Sequence, residues 1–521
     1  MQVQISISAF SSAGVKPNNE DSYGTMFSSE EQAITKGVAI AIADGMSVCQ
    51  NAKAASETCV KCFLTDYYST PESWGVKKSV SKILTATNSW LFGQMAKDGI
   101  AEYAMVSTLS AMVIKGDEAH IFHVGDSRIY LLRGGQIEPL TNDHIISDYS
   151  GSHVLNRAMG TSLHLDIDYK IIKILVDDIF IFTTDGVHEH ISAKKMMHIV
   201  EDQTIKFDKN ARQIVDQALI NGSSDNVTCL IIKIDGLNTN NALFDSSKNL
   251  PFLPHLETGQ ILDGYKIIRE LYASSRSQVY QALNLETGQL VAIKTPSANF
   301  EDDAQYIEAF KREAWIGQKI NAPNIITYIK PKKPRQFLYM VTEYLDGQTL
   351  REWIDNHPKP DLAEVKHIVT QVIKGVRSLH RLDMLHRDLK PDNILIDAAG
   401  LVKIIDLGSV QIASLDEKSI GDNNVKLLGS VDYTAPEYLI NATINPNSDL
   451  YSLGVIIYEM LTHKLPYGRG FKNSNDVKRL SYVPATSHND KLPYWLELIL
   501  QKAVHKQADM RYGRLSELEH D

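Results

Sequence analysis

The 521-residue chain has few cysteines, no long apolar run and no surplus of positive charge, and each absence removes a class of protein. There are four cysteines: Cys59 and Cys62 form one CxxC in "ETCVKCFLTDYY", and Cys49 and Cys229 stand apart. A tetrahedral zinc site needs a second pair, so these read as helical thiols in a reducing compartment. The formal net charge of −10 excludes a surface built for non-specific nucleic-acid binding. The start, "MQVQISISAF", has no basic opening and no apolar block, so it is not a secretory leader. Val3, Ile5, Ile7 and Ala9 alternate there with polar residues, the pattern of a half-buried strand. No apolar run approaches the ~18 residues of a membrane helix. The nearest, "LGVIIYEMLT", is short and carries Glu459. A cytoplasmic protein with no membrane span is expected, and a membrane anchor beyond the terminal "RYGRLSELEHD" stays open.

What is present is ordinary for a globular chain, with 43% hydrophobic and 22% charged residues, enough for two or three domains of ~150 residues or more. Up to about Asp235, short β-runs such as "GVAIAIADG", "AHIFHVGDSRIYLL" and "DIFIFTTDG" alternate with helical stretches, which indicates an α+β domain. "GLNTNNALFDSSKNLPFLPHLETG" is Asn/Ser-rich and then carries Pro251 and Pro254, so it reads as an exposed linker. "GYKIIREL" opens a new strand after it. The expected organisation is a domain over 1–235, a linker over 236–261 and a second domain over 262–521.

In the first half, acids stand where strands stop or start. Asp44 follows "VAIAIA", Asp126 follows "IFHVG", Asp185 follows "IFIFTT", and Asp225 precedes "NVTCLIIKI". Glu20 and Asp21 lie in "VKPNNEDSYG". One Asp-Gly after a strand is an everyday turn. Several carboxylates on one rim repel one another unless cations neutralise them, and oxygen ligands suit Mg²⁺ or Mn²⁺. The strings "KPNNED", "ADGM", "STL", "HVGDSR", "LTNDH", "MGTS", "TDG" and "SDNVT" occur in the order of the metal-dependent Ser/Thr protein phosphatases of type 2C, which residues 1–235 resemble. The resemblance implies two packed antiparallel sheets with helices outside. It implies that Asp44 bridges two ions beside the Gly45 carbonyl, and that Asp185 and Asp225 complete one site. Glu20 serves the other with Asp21 holding its waters, and Asp126 with Asp185 accommodates a third ion. Lys16 stands where the family usually has arginine, so a point charge replaces a planar fork at the phosphate. The segment "IISDYSGSHV" is shorter than the flap of many bacterial relatives, which implies a more open site.

The second half carries "LHRDLKPDNIL", and from Tyr265 onward it resembles the protein-kinase fold. That resemblance implies a bilobal domain binding ATP with Mg²⁺. Lys294 of "VAIK" would touch the phosphates and Glu313 would hold it. Asp388 would orient the substrate hydroxyl with Lys390 nearby, and Asn393 and Asp406 would ligate Mg²⁺. Glu343 and Leu345, in the hinge "VTEYLDG", would meet adenine. Ser430 in "GSVDYTAPE" and the string "RDLKPDN" favour Ser/Thr substrates. Asp449 and Arg511 match structural anchors of the large lobe. One element departs from the family. The loop "LYASSRSQVY" has no glycine: aligned on Val279, the glycine positions hold Tyr272, Ser274 and Ser277. The expectation is that the Ser274 and Ser277 hydroxyls and the Arg276 cation replace lost backbone contacts to phosphate, with weaker ATP binding. The whole chain is therefore expected to be a bifunctional kinase/phosphatase of the bacterial kind. Its partners would be phosphorylated and unphosphorylated proteins, its own kinase domain among them. The rivals are a phosphatase governed by a nucleotide-binding pseudokinase and a non-catalytic scaffold.

Overall fold

The computed structural model describes residues 3–29, 32–98, 105–147, 153–202, 204–237, 250–301, 303–332, 335–415, 431–440 and 444–521. The chain divides into two compact units, Met1–Leu243 and Phe244–Asp521. Ser430, the middle of the short flap and residues 238–249 of the expected linker lie outside the described residues.

The first unit is a sandwich of two five-stranded antiparallel sheets. Its strands are β1 (Gln4–Ser12), β2 (Asp21–Phe27), β3 (Val38–Asp44), β4 (Leu109–Lys115), β5 (Glu118–Val124), β6 (Arg128–Arg133), β7 (Gln136–Pro139), β8 (Ile145–Ser147), β9 (His153–Leu155), β10 (Asp168–Lys173), β11 (Ile179–Thr183) and β12 (Val227–Gly236). One sheet runs β1-β12-β11-β6-β7 and the other β10-β5-β4-β3-β2. β8 and β9 pair as a hairpin at the base of the flap.

β3 shows why the layers form. Its sequence VAIAIAD alternates: Val38, Ile40 and Ile42 pack between the sheets against Phe180, Phe182 and Leu230. Ala39, Ala41 and Ala43 face the helices Ala52–Ser69 and Val76–Asp98 and meet Phe63, Tyr67 and Leu84. Alternation by two sends branched side chains to the core and small ones to a close helix contact. On the outer face of the other sheet, Tyr130, Ile181 and Ile231 are covered by Met196, Ile214 and Val215 of the helices Ala193–Glu201 and Asn210–Ile220. The expected α+β sandwich flanked by helices is the architecture found.

In the second unit a six-stranded sheet precedes a mostly helical lobe. The sheet contains β13 (Ile261–Leu262), β14 (Tyr265–Ala273), β15 (Ser277–Asn284), β16 (Leu290–Pro296), β17 (Tyr328–Ile329) and β18 (Met340–Glu343), in the order β13-β14-β15-β16-β18-β17. The helical lobe is built around Leu362–Arg381 and the almost fully buried helix Pro446–Thr462. No helix among the described residues is long and apolar enough to cross a membrane.

The proline segment corrects the linker expected over 236–261. Leu253 and Leu256 are buried with Leu262, Tyr265, Ile267 and Tyr280, and the Pro251 carbonyl accepts from the Leu338 N–H at 3.0 Å. Leu250 and Phe252 pack on the larger core. Asn/Ser-rich composition ends before Leu250; the apolar residues after it cover the back of the sheet, so this part belongs to the second unit.

Two candidate active sites

β2 and β3 pair with Asp21 opposite Asp44, which puts two acids at one strand end. The Asp44 backbone is fixed on both sides. Its N–H donates to Thr108 Oγ1 at 2.9 Å, and its carbonyl accepts from the Thr108 N–H at 2.8 Å and the Ser107 hydroxyl at 2.9 Å. At Gly45 a Cβ would come within 2.2 Å of the Ala52 carbonyl oxygen, so only glycine lets the following helix start that close. Asp185, after β11, and Asp225, before β12, accept from the N–H groups of Gly186 and Asn226, each at 2.6 Å. Asp126 follows β5. Asp21 Oδ2 accepts from the hydroxyls of Thr184 at 3.0 Å and Thr228 at 2.6 Å, whereas its Oδ1 is buried with no hydrogen-bond partner.

These acids feel one another. Burial, then Asp21, Asp185, Asp126 and Asp225, push the Asp44 carboxyl well above the usual carboxylate range. Burial raises Asp21 to about 7 against its two threonine donors, with Asp185 and Asp225 adding to the rise. Burial and Asp185 raise Asp126 to about 7, and burial and Asp225 raise Asp185. The cation in contact is Lys16. It pairs with Asp225 and donates to Ser47 Oγ at 2.7 Å, and Ser47 donates to Glu20 Oε2 at 2.6 Å. Burial would lower the Lys16 ammonium, but Asp225, Asp44 and Glu20 hold it above its ordinary value. Among the described residues no three acidic, imidazole or thiol side chains yet enclose a single point as ligands would. The residues fit hard divalent cations: the donors are all oxygen, one buried Asp21 oxygen is unclaimed, and among the described residues Asp21, Asp44, Asp126 and Asp185 have no ion pair, Lys16 being taken by Asp225. The four thiols are all free, with Cys59 buried, so the CxxC adds nothing to this set.

The second site is balanced. β15 and β16 pair with Val279 opposite Lys294. Val291 and Ile293 enter the core behind the sheet, so Lys294 points to the other face. Its ammonium donates to both Glu313 carboxylate oxygens at 2.9 and 2.8 Å and lies 3.6 Å from Asp406. Glu313 sits on the helix Ala304–Lys319 and also accepts from the Tyr328 hydroxyl at 3.0 Å. Burial would lower Lys294, yet Asp406 and Glu313 hold it above its usual value. Burial would raise Asp406, yet Lys294 and the Gly408 N–H hold it below. Asp388 accepts from Lys390 at 2.9 Å and from Asn393 Nδ2 at 3.3 Å, and Asn393 also donates to the Asp388 carbonyl at 2.9 Å. Leu407, next to Asp406, is fully buried in the core.

The anchors have defined partners. Asp449 accepts from the N–H groups of His386 and Arg387, both at 2.9 Å, and lies 2.8 Å from His380 Nε2, holding the loop that presents Asp388. Arg511 pairs with Glu437 through two bonds of 2.9 and 2.8 Å, both side chains buried. At the hinge the Glu343 carboxylate is engaged by Lys403 at 2.5 Å and the Thr327 N–H at 2.7 Å, its own N–H donates to the Thr327 carbonyl at 2.9 Å, and Leu345 is half-buried.

The loop differs from the expectation. Ser274 Oγ accepts from the N–H groups of Arg276 at 3.2 Å and Ser277 at 3.1 Å and donates to the Ser277 carbonyl at 3.1 Å. Its hydroxyl is turned into its own loop instead of being left over for phosphate. The supports that sequence reasoning missed are Thr184, Thr228, Ser47 and Tyr328. Thr184 and Thr228 stand inside "TDG" and "SDNVT", but those strings drew attention to their aspartates, and the partner Asp21 is 163 and 207 residues away; Ser47 and Tyr328 lie in no quoted motif.

Residues 14–220 match the family model Protein phosphatase 2C, and residues 265–521 match Protein kinase domain. The probable serine/threonine-protein kinase PknB of Lactococcus lactis is 32% identical over 267 residues, covering 50% of this chain and 42% of that protein. The chain spans about two fifths of the length of the curated relatives it matches first. Among solved structures, the catalytic domain of the serine threonine protein phosphatase PstP in complex with 2 manganese ions is 23% identical, with a TM-score of 0.37, covering 44% of this chain and 97% of that one. The Mycobacterium tuberculosis PknI kinase domain is 22% identical, with a TM-score of 0.40, covering 51% and 98%. This chain joins a protein phosphatase 2C domain, in its first half, to a protein kinase domain in its second.

Proposed function

We propose that the chain both installs and removes phosphoryl groups on serine and threonine side chains of proteins. The observation that carries this reading is that folding puts Asp21 opposite Asp44 at one strand end, close enough to Asp126, Asp185 and Asp225 to raise the Asp44 carboxyl, and in the second half joins Lys294 to Glu313 and Asp406 and Asp388 to Lys390 and Asn393. In the kinase half, Glu313 fixes Lys294 on the ATP phosphates. Asp388 accepts the proton of the substrate hydroxyl, Lys390 offsets charge on the transferred group, and Asn393 and Asp406 hold Mg²⁺. In the phosphatase half, Asp44, the Gly45 carbonyl, Asp185, Asp225 and Glu20 would hold two Mg²⁺ or Mn²⁺ ions, with Asp21 behind them and Asp126 available for a third. Such ions supply a hydroxide near neutral pH and offset charge on the phosphoryl oxygens. Lys16 binds the substrate phosphate as a point charge, and Thr184 and Thr228 keep Asp21 aimed.

One preparation assayed for both activities tests this, with Asp44→Asn and Asp388→Asn as controls. Hydrolysis of a phosphothreonine peptide lost only in the first, and ATP-dependent labelling of a generic acceptor lost only in the second, are the expected results. Absence of either activity in the unaltered chain overturns the corresponding half.

A tether places the two sites at an effective concentration of order mM where they can meet, so the phosphatase is proposed to erase phosphates from the kinase domain of its own chain. Phosphate on Ser274 or Ser277 would repel those of ATP. Mass spectrometry should find more phosphate on Asp44→Asn than on the unaltered chain; equal content refutes the loop. The second reading, a phosphatase governed by a nucleotide-binding pseudokinase, is favoured by the inward Ser274 hydroxyl. It requires ATP to change hydrolysis equally in the unaltered chain and in Asp388→Asn. Free thiols and use of ATP fit a cytoplasmic setting.

A further inference from the structure

We propose that Ser274 is an internal stand-in for nucleotide phosphate: its hydroxyl occupies two backbone N–H groups that the loop would otherwise offer to ATP, so nucleotide binding is a competition with this side chain. The inference rests on the kinase reading and concerns how that site selects its nucleotide.

A glycine-rich loop covers phosphates with backbone N–H groups, which converge where the chain turns without side chains in the way. Here the turn lies between β14 and β15, and the second glycine position is Ser274. Glycine there has nothing that could reach those amides. Serine has the shortest side chain that brings an oxygen back onto them. Its Oγ accepts from Arg276 and Ser277 at 3.2 and 3.1 Å while its proton goes to the Ser277 carbonyl at 3.1 Å, and that carbonyl also takes the Ser274 N–H at 2.9 Å. One hydroxyl, with one proton and two lone pairs, is thereby fully used.

The turn is also held from outside. The Arg276 carbonyl accepts from the Ser297 N–H at 2.8 Å and from the Tyr306 hydroxyl. Tyr306 lies on the helix that carries Glu313, so the loop with its inward amides is tied to the element that positions Lys294. An incoming triphosphate therefore meets Lys294 and the cation ligands as available partners, but must displace Ser274 Oγ to gain the two amides. The affinity that phosphates add to adenosine should be small in this protein, and the loss lies in one removable oxygen.

The test is calorimetric titration of the full chain with ATP–Mg²⁺ and with adenosine, in the unaltered protein and in Ser274→Gly, Ser274→Ala and Ser274→Thr. Freeing two amides should tighten ATP by about five- to twentyfold in the Gly and Ala variants, at the net worth of one hydrogen bond or slightly more. Adenosine should stay within about twofold, because it has no phosphate to profit. Ser274→Thr keeps the hydroxyl and should behave as the unaltered chain. In nucleotide-free protein, the amides of Arg276 and Ser277 should exchange hydrogen faster in Ser274→Ala. ATP binding unchanged or weakened in both the Gly and Ala variants overturns the proposal. So does equal tightening of ATP and adenosine, which would report general loosening of the loop. If no form binds ATP at all, the kinase reading falls and this inference with it; binding without a gain in the variants overturns only the role of Ser274.

Discussion

The two sites treat buried charge in opposite ways. In the kinase domain each acid has its counter-charge from the chain itself: Glu313 and Asp406 share Lys294, and Asp388 takes Lys390. Asp406 accordingly stays below the usual carboxylate range despite burial. In the phosphatase domain Asp21, Asp44, Asp126 and Asp185 are all raised, and Lys16 pairs with none of these four but with Asp225. One site is assembled by folding; the other is gathered by folding and must be completed from solution. The cause is elementary: desolvated like charges cost free energy until an opposite charge enters.

Four experiments press on this contrast, beginning with the largest effect. Asp44→Asn should lower metal-stimulated hydrolysis of a phosphopeptide by more than about 100-fold and leave ATP-dependent labelling within about twofold, and Asp388→Asn should do the reverse. Comparable loss of both activities from either change would merge the two sites. Next comes stability, read by calorimetry of the full chain in EDTA. Glu313→Ala breaks a buried pair and should destabilise the kinase unit by roughly 3 kcal/mol. Asp44→Asn removes an uncompensated buried acid and should raise the midpoint of the phosphatase unit. A fall in both variants would refute the contrast.

The third test uses pH, again in EDTA. Asp21 and Asp126, held at about 7 in the folded state, bind protons more tightly than in the unfolded chain, where carboxyls titrate near ~3.9. Their contribution is complete below about pH 4 and lost as pH rises through about 7, so the phosphatase unit should melt lower at pH 8 than at pH 6. Asp406 has the opposite sign: its contribution is present above the ordinary carboxylate range and lost as pH falls through its lowered value. Saturating Mn²⁺ should abolish the loss in the phosphatase unit. The smallest effect belongs to Lys16→Arg. A fork in place of a point charge should lower KM for a phosphopeptide by about threefold with kcat little changed. A large change in kcat would mean that Lys16 does more than bind.

Much of this was legible in the order of residues. The strings around Asp44, Asp126, Asp185 and Asp225, and "LHRDLKPDNIL", are local, because a turn, a strand end or a catalytic loop needs its residues in one short stretch. Leu253 and Leu256 were misread as linker because a proline-rich apolar segment looks the same whether or not a sheet waits to be covered. Tyr328 carries no local mark of its task, and Thr184 and Thr228, though they stand in "TDG" and "SDNVT", do not show Asp21 as their partner, since a hydroxyl becomes a support only when a distant carboxylate is folded against it.

The sequence by itself determined that two domains follow one another, which acids stand at strand ends, and that the loop before "VAIK" has no glycine. Only the tertiary structure decided that Lys294 is shared by two carboxylates, that Lys16 meets Asp225, and that the Ser274 hydroxyl points inward to the amides of Arg276 and Ser277. The reason is physical. Residue type sets which bonds a group can make, but hydrogen bonds and ion pairs act over a few ångströms, and those distances exist only after the chain has closed on itself.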